Sequence, residues 1–276
     1  MTGTDTALRH VVVSPHPDDA VWSLGGRLAR WTALGAEVTV VTVFDTADGA
    51  AGHTAGHTAD TSPGHRAAHR PDDWRRIAEP ATRRREDRAA LAALGVTRVS
   101  LGLTDAALRT SAGRPRYTAA PRVLGRPHPD DGPLPDTIAE ALRPWCPPGT
   151  RLHAPLAAGR HVDHALVRAA AERLAVPGTA WYEDFPYPLR RRDHDGLVAR
   201  CEPLTPADLE RWLAGAEHYT SQALALFGGP GRLREALGAR ARGHGAAAGH
   251  PYADRYWQRP GPTEAGGARQ TPRPPA

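Results

Sequence analysis

Lysine is absent from this chain, so arginine supplies all of its strongly basic side chains. The 35 basic residues stand against 30 acidic ones, which gives a formal net charge of +5. A basic balance invites a nucleic-acid partner, but the arginine clusters at 75–76, 83–85 and 190–192 belong to no recognisable binding module. We therefore interpret these clusters as solvated surface and local ion pairs, and we predict no nucleic-acid partner.

Cysteine and long apolar runs are also scarce. Cys146 and Cys201 lie far apart and form no CxxC pair, which argues against a disulfide scaffold and a cysteine-based zinc site. No apolar run approaches the ~18 residues that span a membrane, and residues 1–10 lack the segments of a signal peptide. These absences predict a soluble cytoplasmic protein with no membrane partner, and they leave the oligomeric state open.

Glycine and proline are plentiful, with 28 and 27 residues, and they concentrate in three segments. Residues 46–73 are rich in histidine and glycine and poor in large apolar side chains, so they predict a mobile surface loop. Residues 104–136 predict a loop-rich insertion, and residues 258–276 have the composition of a disordered tail. We predict a single domain over residues 1–257.

Short β-branched runs alternate with amphipathic helical patterns between these segments. Residues 10–14 predict a buried strand, residues 18–35 a helix and residues 36–45 a second strand. This order indicates a right-handed βαβ unit, and hence an α/β protein with a parallel sheet. Further helices are predicted over 81–95, 136–142, 161–175 and 206–227, and further strands over 96–103, 151–156 and 180–188.

The sharpest motif is SPHPDD at residues 14–19, where the first predicted strand ends and a helix begins. His16 and Asp19 are three residues apart, so one helical turn can present both side chains to one point. An imidazole and a carboxylate suit zinc, with iron(II) as an alternative. Asp18 would point to one side, where it could accept a proton from water. The competing interpretation of Asp18 or Asp19 is a simple helix cap.

A second motif, GRHVDH at residues 159–164, also lies between a predicted strand and a helix. His161 and His164 repeat the three-residue spacing. If both motifs meet at the sheet edge, they supply a third metal ligand and leave a position for water, which is the pattern of catalytic zinc sites. One histidine then remains as an acid or an electrostatic stabiliser, and Asp163 could orient it.

The letters PHPDD occur twice in the chain. Residues 127–131 repeat residues 15–19, but no strand leads into the second copy and no helix follows it at once. Residues 69–73 (HRPDD) are a looser variant within the glycine-rich segment. We predict a turn at the second copy, because the strand-to-helix context, rather than the letters, marks the first copy as a site.

Together these residues resemble the PIG-L / LmbE-like metal-dependent deacetylases. The resemblance rests on PHPDD followed by Gly25 and Gly26, on HVDH at 161–164 and on their order, and it covers roughly residues 8–175. It implies a Rossmann-like, mostly parallel sheet flanked by helices, with a metal site at the carboxyl ends of strands. It also implies a zinc-dependent amidohydrolase that removes an N-acyl group, often acetyl, from an amino sugar, with iron(II) or another divalent ion as the alternative metal.

The resemblance further implies roles for single residues. Asp18 corresponds to the general base, His161 to the group that assists the tetrahedral intermediate or the leaving amine, and Asp163 to the residue that tunes His161 and keeps it charged. The positions that resemble the family's metal ligands are His16, Asp19 and His164. The positions that resemble its substrate-binding residues are Arg83 and Asp105.

We therefore predict a hydrolase whose partner is a small N-acyl amino-sugar substrate, such as a specialised-metabolite or glycoside intermediate. Two other classes stay open, namely a catalytically silent metal-binding regulatory protein and an arginine-rich nucleic-acid-binding module. The segment 181–187 (WYEDFPY) is either part of a sugar pocket or a packed strand end. Tyr182 or Tyr187 could bind an oxyanion there, and the sequence does not choose between them.

Overall fold

The computed structural model describes residues 8–46 and 74–261. The strands in these ranges are β1 (Arg9–Ser14), β2 (Glu37–Thr46), β3 (Thr97–Thr104), β4 (Thr110–Ser111), β5 (Arg114–Pro115), β6 (Arg151–Pro155), β7 (Ala180–Tyr182), β8 (Val198–Pro203) and β9 (Ala253–Gln258). The α-helices are α1 (Asp19–Ala33), α2 (Pro80–Ala93), α3 (Leu134–Leu142), α4 (Val162–Leu174), α5 (Pro206–Ala216), α6 (Thr220–Phe227) and α7 (Pro230–Ala248).

Seven strands form one sheet in the order β3-β2-β1-β6-β7-β9-β8. The pairs β1/β2, β2/β3, β1/β6 and β6/β7 are parallel, whereas β9 runs antiparallel to β7 and β8. From β1 the chain moves outward to β3 and then returns to the other side of β1 through β6. The strand order therefore reverses between β1 and β6, the position where ligands of such sheets bind. The predicted mostly parallel α/β sheet is confirmed.

Both faces of β1 are buried, which explains its uninterrupted apolar run. Side chains alternate between the two faces of a strand. Val12 packs in a cluster that includes α1, α2, α5, α6 and α7, and Val11 and Val13 pack in a cluster that includes α3 and α4. Helices thus cover both faces of the sheet.

Ser14 holds the junction between β1 and α1. Its hydroxyl donates to the carbonyl oxygen of His16 at 2.6 Å and accepts from the amide of Ala20 at 3.0 Å. Asp18 occupies the N-cap position with a φ of 102°, and its side chain makes no capping hydrogen bond. Such a φ costs a non-glycine residue about 1–3 kcal/mol, and strain of this kind clusters at functional sites. The simple capping role considered for Asp18 is therefore wrong.

The helices of the C-terminal half differ from the sequence-based expectations in two ways. The helix predicted over 206–227 is divided into α5 and α6. The pattern gave no sign of α7, which contains four glycines, residues of low helix propensity. Leu233, Leu237 and Ala241 nevertheless pack into the core on the α1 side, so tertiary burial outweighs local propensity there.

The predicted tail begins too early. Gln258 is the last residue of β9 and pairs with Val198, so a boundary after residue 257 would cut a strand. Residues 262–276 and most of the predicted loop 46–73 lie outside the described residues. Residues 104–136 consist mainly of turns, short 3-10 segments and the pair β4–β5, until α3 begins at Leu134. None of the described helices is both long and apolar enough to cross a bilayer.

Candidate active site

The two histidine motifs follow the neighbouring strands β1 and β6 and meet at their carboxyl ends. The ring centroid of His16 lies 4.9 Å from that of His161 and 5.3 Å from that of His164, and the latter two rings lie 5.1 Å apart. The three rings therefore form a compact triangle at the point where the strand order reverses.

Asp19 lies between the two motifs and contacts both. Its Oδ2 atom is 3.1 Å from Nδ1 of His16 and 3.3 Å from Nε2 of His164, and it also accepts the backbone N–H of His16 at 2.8 Å. All three side chains are buried. One carboxylate oxygen thus brings two imidazole nitrogens to a common point.

Each of these two imidazoles is held on its far side by another carboxylate. Asp163 Oδ2 lies 2.9 Å from Nε2 of His16, and Asp184 Oδ1 lies 2.6 Å from Nδ1 of His164. Carboxylates in this position orient the rings of metal-ligating histidines and raise their basicity. The nitrogens that face Asp19 are therefore the ones oriented for a metal.

The charges of this cluster fit a divalent cation. Burial alone would lower the pKa of His16, but the carboxylates of Asp105, Asp163 and Asp19 raise it to about 9. Burial likewise opposes protonation of His164, and Asp19 and Asp184 raise its pKa well above the ordinary value. His164 and His16 in turn hold the pKa of Asp19 well below its usual range. Two protonated rings around one carboxylate carry the charge that a divalent ion would bring when both rings bind it as neutral ligands.

His16 also belongs to two further groups of possible ligands, and within each group the donor atoms lie within 4.8 Å of one another. One group includes His161 and His164, but Nδ1 of His161 already accepts the backbone N–H of Asp163. The other group includes the carboxylates of Asp105 and Asp163. These two carboxylates already have cationic and backbone partners. Asp163 pairs with Arg109 at 2.6 Å and accepts the backbone N–H of Ala106, and Asp105 pairs with Arg83 at 3.2 Å. The set His16, Asp19 and His164 is therefore the better candidate for a metal.

Asp18 lies beside the cluster and faces the same cavity. Burial raises the pKa of this carboxyl to about 7, although the Arg83 guanidinium opposes the rise. Nη2 of Arg83 lies 3.3 Å from Asp18 and donates to the carbonyl of Pro17 at 3.0 Å. A carboxylate held in this way can accept a proton from a water in the cavity.

Arg83 and Asp105, predicted as substrate-binding positions, both line the cavity. Their charged groups contact each other, and Arg83 also contacts Asp18. Arg83 is buried, so the solvated surface predicted for residues 83–85 does not include this position, whereas the local ion pairs predicted with it are present.

His161 differs from its predicted state. It is the N-cap of α4, and its Nδ1 accepts the backbone N–H of Asp163 at 3.2 Å. Burial and the neighbouring rings of His16 and His164 hold the pKa of His161 well below its ordinary value, so the ring is neutral and carries its hydrogen on Nε2. The expectation that Asp163 keeps His161 charged is therefore wrong, because the Asp163 carboxylate faces His16 and Arg109.

The cluster opens into a cavity of about 300 Å³. Its polar floor is formed by the histidines and carboxylates described above. The apolar side chains of its walls include Trp22, Ile77, Val123, Leu124, Phe185 and Leu226. Residues 120–124 place part of the predicted loop-rich insertion against the site, where Leu124 forms an isolated β-bridge with His161.

The fold places Tyr182 in the core and Tyr187 in the wall of the cavity. The hydroxyl of Tyr182 donates to the carbonyl of Val13 in the core at 2.8 Å, whereas Tyr187 lines the cavity with its ring centroid 5.6 Å from that of His164. Gly159 makes room for Tyr187. It has a φ of 76°, and a Cβ atom there would lie 2.3 Å from the tyrosine ring.

Sequence reasoning missed Asp184 and Arg109 as individual site residues. Asp184 was visible only within the mixed segment 181–187, where its neighbour Glu183 instead faces Arg240, Arg255 and Trp257. The alternation of side chains along an extended segment offered a signal for this difference. Arg109 had no local signal, because its partners Asp131 and Asp163 are distant in the chain.

Comparison with known proteins gives a family match over much of this fold. The family described as PIG-L: GlcNAc-PI de-N-acetylase matches residues 11–175. The 2'-N-acetylparomamine deacetylase of Streptomyces fradiae is 30% identical over 90% of this chain and 89% of its own length.

Two solved structures extend the likeness over the C-terminal half. The zinc-inhibited form of a teicoplanin deacetylase has a TM-score of 0.67 and 26% identity, covering 91% of this chain and 97% of its own. The A40926 pseudoaglycone deacetylase has a TM-score of 0.64 and 25% identity, covering 91% and 96%. These matches support the hydrolase interpretation and neither of the two alternatives.

Proposed function

Since the chain belongs to the PIG-L family of de-N-acetylases and is an N-deacetylase, we propose that its substrate is an N-acetylated amino sugar within a specialised metabolite. The observation that carries this proposal is the meeting of both histidine motifs at Asp19 Oδ2, beside Asp18 and an open cavity. The names of the relatives give 2'-N-acetylparomamine, teicoplanin and the A40926 pseudoaglycone as their substrates, and we propose a substrate of this general kind for this chain.

We assign the metal position to His16, Asp19 and His164 and propose zinc as the ion. Two imidazole nitrogens and one carboxylate oxygen leave a fourth position, which is the arrangement of catalytic zinc sites. A divalent ion bound there supplies Lewis acidity, which makes a water more acidic and polarises an amide carbonyl.

The remaining steps fall to side chains of this protein. Asp18 takes a proton from the attacking water as the new carbon–oxygen bond forms. Nε2–H of His161 donates to the developing negative charge on the amide oxygen. Asp18 then returns its proton to the nitrogen as the carbon–nitrogen bond breaks, so the products are a free amine and acetic acid, which releases its proton to solvent or to the amine and leaves as acetate. Arg83 holds the Asp18 carboxylate in place, and Asp105 holds Arg83.

The apolar walls favour a substrate with apolar or aromatic groups beside the sugar, since burial of such groups adds binding energy. We therefore expect an N-acetylglucosaminyl pseudoaglycone to be hydrolysed with a higher kcat/KM than N-acetylparomamine or N,N'-diacetylchitobiose. Incubation of the zinc-loaded protein with these three compounds, followed by mass spectrometry and acetate detection, tests both the reaction and the order. Zinc-loaded protein that released acetate from none of them would overturn the proposal.

A further inference from the structure

A line of buried contacts joins the second PHPDD copy to the candidate metal site. Oδ2 of Asp131 lies 3.1 Å from Nη2 of Arg109, and the same nitrogen lies 2.6 Å from Oδ1 of Asp163. The other oxygen of Asp163 lies 2.9 Å from Nε2 of His16. All four side chains are buried, so each charge depends on its neighbours in this line.

Arg109 is fixed in the middle of this line by further contacts. Its Nη1 atom donates to the carbonyl of Thr104 at 3.1 Å, and its guanidinium carbon lies 5.1 Å from the ring centroid of Phe44. Oδ2 of Asp131 also accepts from the Tyr117 hydroxyl at 2.5 Å, and Oδ1 accepts from Arg116. These contacts hold the guanidinium with its Nη2 atom between Asp131 and Asp163.

Within the second PHPDD copy, side-chain exposure distinguishes Asp131 from its neighbours. Asp131 is completely buried, whereas the side chains of Asp130 and His128 are 51% and 34% exposed. A turn alone would not require its last carboxylate to be buried among two arginines and a tyrosine.

We propose that Asp131 and Arg109 are positioning residues, which keep the Asp163 carboxylate on Nε2 of His16 so that Nδ1 of His16 faces Asp19 and the metal. The proposal rests on the metal-ligand role proposed above for His16. Loss of Asp131 frees Arg109 to shift. Asp163 is then held by the Ala106 backbone N–H without the fixed guanidinium, and the ring of His16 gains freedom to rotate.

The test is the zinc affinity of the folded full chain, measured by competition with a chromophoric chelator. Asp131→Asn keeps the size of the side chain and removes its charge, and Arg109→Lys keeps the charge but loses the planar guanidinium. We expect both variants to raise the zinc dissociation constant about 10-fold, the lower end of the range found when direct partners of metal ligands are changed, because both residues act through Asp163. Asp130→Asn, at the neighbouring exposed carboxylate, is the matched control and should leave the constant unchanged.

A second readout separates positioning from mere structural support. The ring protons of His16, followed by NMR in the zinc-free protein, should show the contacts of one fixed ring orientation in the wild type and of more than one orientation in Asp131→Asn. Wild-type zinc affinity in folded Asp131→Asn and Arg109→Lys would overturn the proposal, whatever their stability. If the wild type itself bound no zinc, the proposed function would fail first, so the two failures are distinguishable.

Discussion

The last aspartate of each PHPDD copy is buried, but the two aspartates have different partners. Asp19 shares one oxygen between the imidazoles of His16 and His164. Asp131 is instead surrounded by Arg109, Arg116 and the Tyr117 hydroxyl.

The difference shows that the partners of a carboxylate decide its chemistry. Imidazoles can give up a proton and become metal ligands, whereas guanidinium groups remain protonated and offer no lone pair to a metal. The first copy can therefore hold a cation, and the second copy anchors Arg109. Changes made at matched positions of the two copies should separate these roles.

The largest expected difference is at the histidines. His16→Ala removes one of three proposed metal ligands, so we expect zinc to be lost on dialysis and deacetylation to disappear with it. His128→Ala, at the partly exposed counterpart, should keep stoichiometric zinc and full activity. Elemental analysis of the dialysed proteins and acetate release measure the two effects, and retained stoichiometric zinc in His16→Ala would exclude that ligand role.

The next difference is at the first aspartate of each copy. Asp18→Asn should keep bound zinc but lower kcat by about 10²–10⁴, the contribution of a positioned proton acceptor. Asparagine tolerates the positive φ at this position better than most residues, so the fold should survive. Asp130→Asn is the control and should turn over normally. A near wild-type kcat for Asp18→Asn would show that another group accepts the proton.

A third difference concerns stability. Asp131→Ala leaves Arg109 and Arg116 without their shared carboxylate, and removal of one partner from a buried ion pair costs about 3–5 kcal/mol in the free energy of unfolding. Asp130→Ala removes an exposed carboxylate whose side-chain partner is the Ser111 hydroxyl, so its cost should be much smaller. Urea denaturation of both variants measures the contrast, and equal losses would show that burial of Asp131 carries no special weight.

The smallest difference lies at the residue before each motif. Ser14→Ala removes the hydroxyl that accepts from Ala20, and a buried donor left unsatisfied costs about 1–2 kcal/mol. Arg126, the exposed counterpart before the second copy, should tolerate alanine within about 0.5 kcal/mol. Thermal unfolding compares the pair. Equal stabilities would mean that Ser14 does not hold the junction between β1 and α1.

Local pattern predicted much of the fold and the places of the main motifs. The apolar run of β1, the amphipathic α1 and the following β2 are periodic in sequence, because one face or both must be buried. The same reasoning found α4 and its histidines. It failed at α7, where glycines conceal a helix that burial of Leu233 and Leu237 stabilises.

The roles of buried polar side chains were less predictable, because their partners are distant in the chain. Asp163 was expected to charge His161, but α4 begins so that its carboxylate points to His16 and its backbone N–H to His161. Asp184 reaches His164 only because β7 lies beside β6 in the sheet. The contacts of Asp163 with His16 and of Asp184 with His164 depend on how the strands pack, so they cannot be predicted from spacing along the chain.

The α/β alternation, the parallel sheet and the two motifs at strand ends can all be predicted from local sequence, since each depends on the residues within one element or at its end. Tertiary packing sets which carboxylate contacts which histidine, which tyrosine lines the cavity and which side chains surround Asp131. These contacts cannot be predicted from local pattern, because a buried charge needs partners and the fold brings them from distant parts of the chain. For Asp131 those partners are Arg109 and Arg116, and for Asp19 they are the two histidines of the candidate metal site.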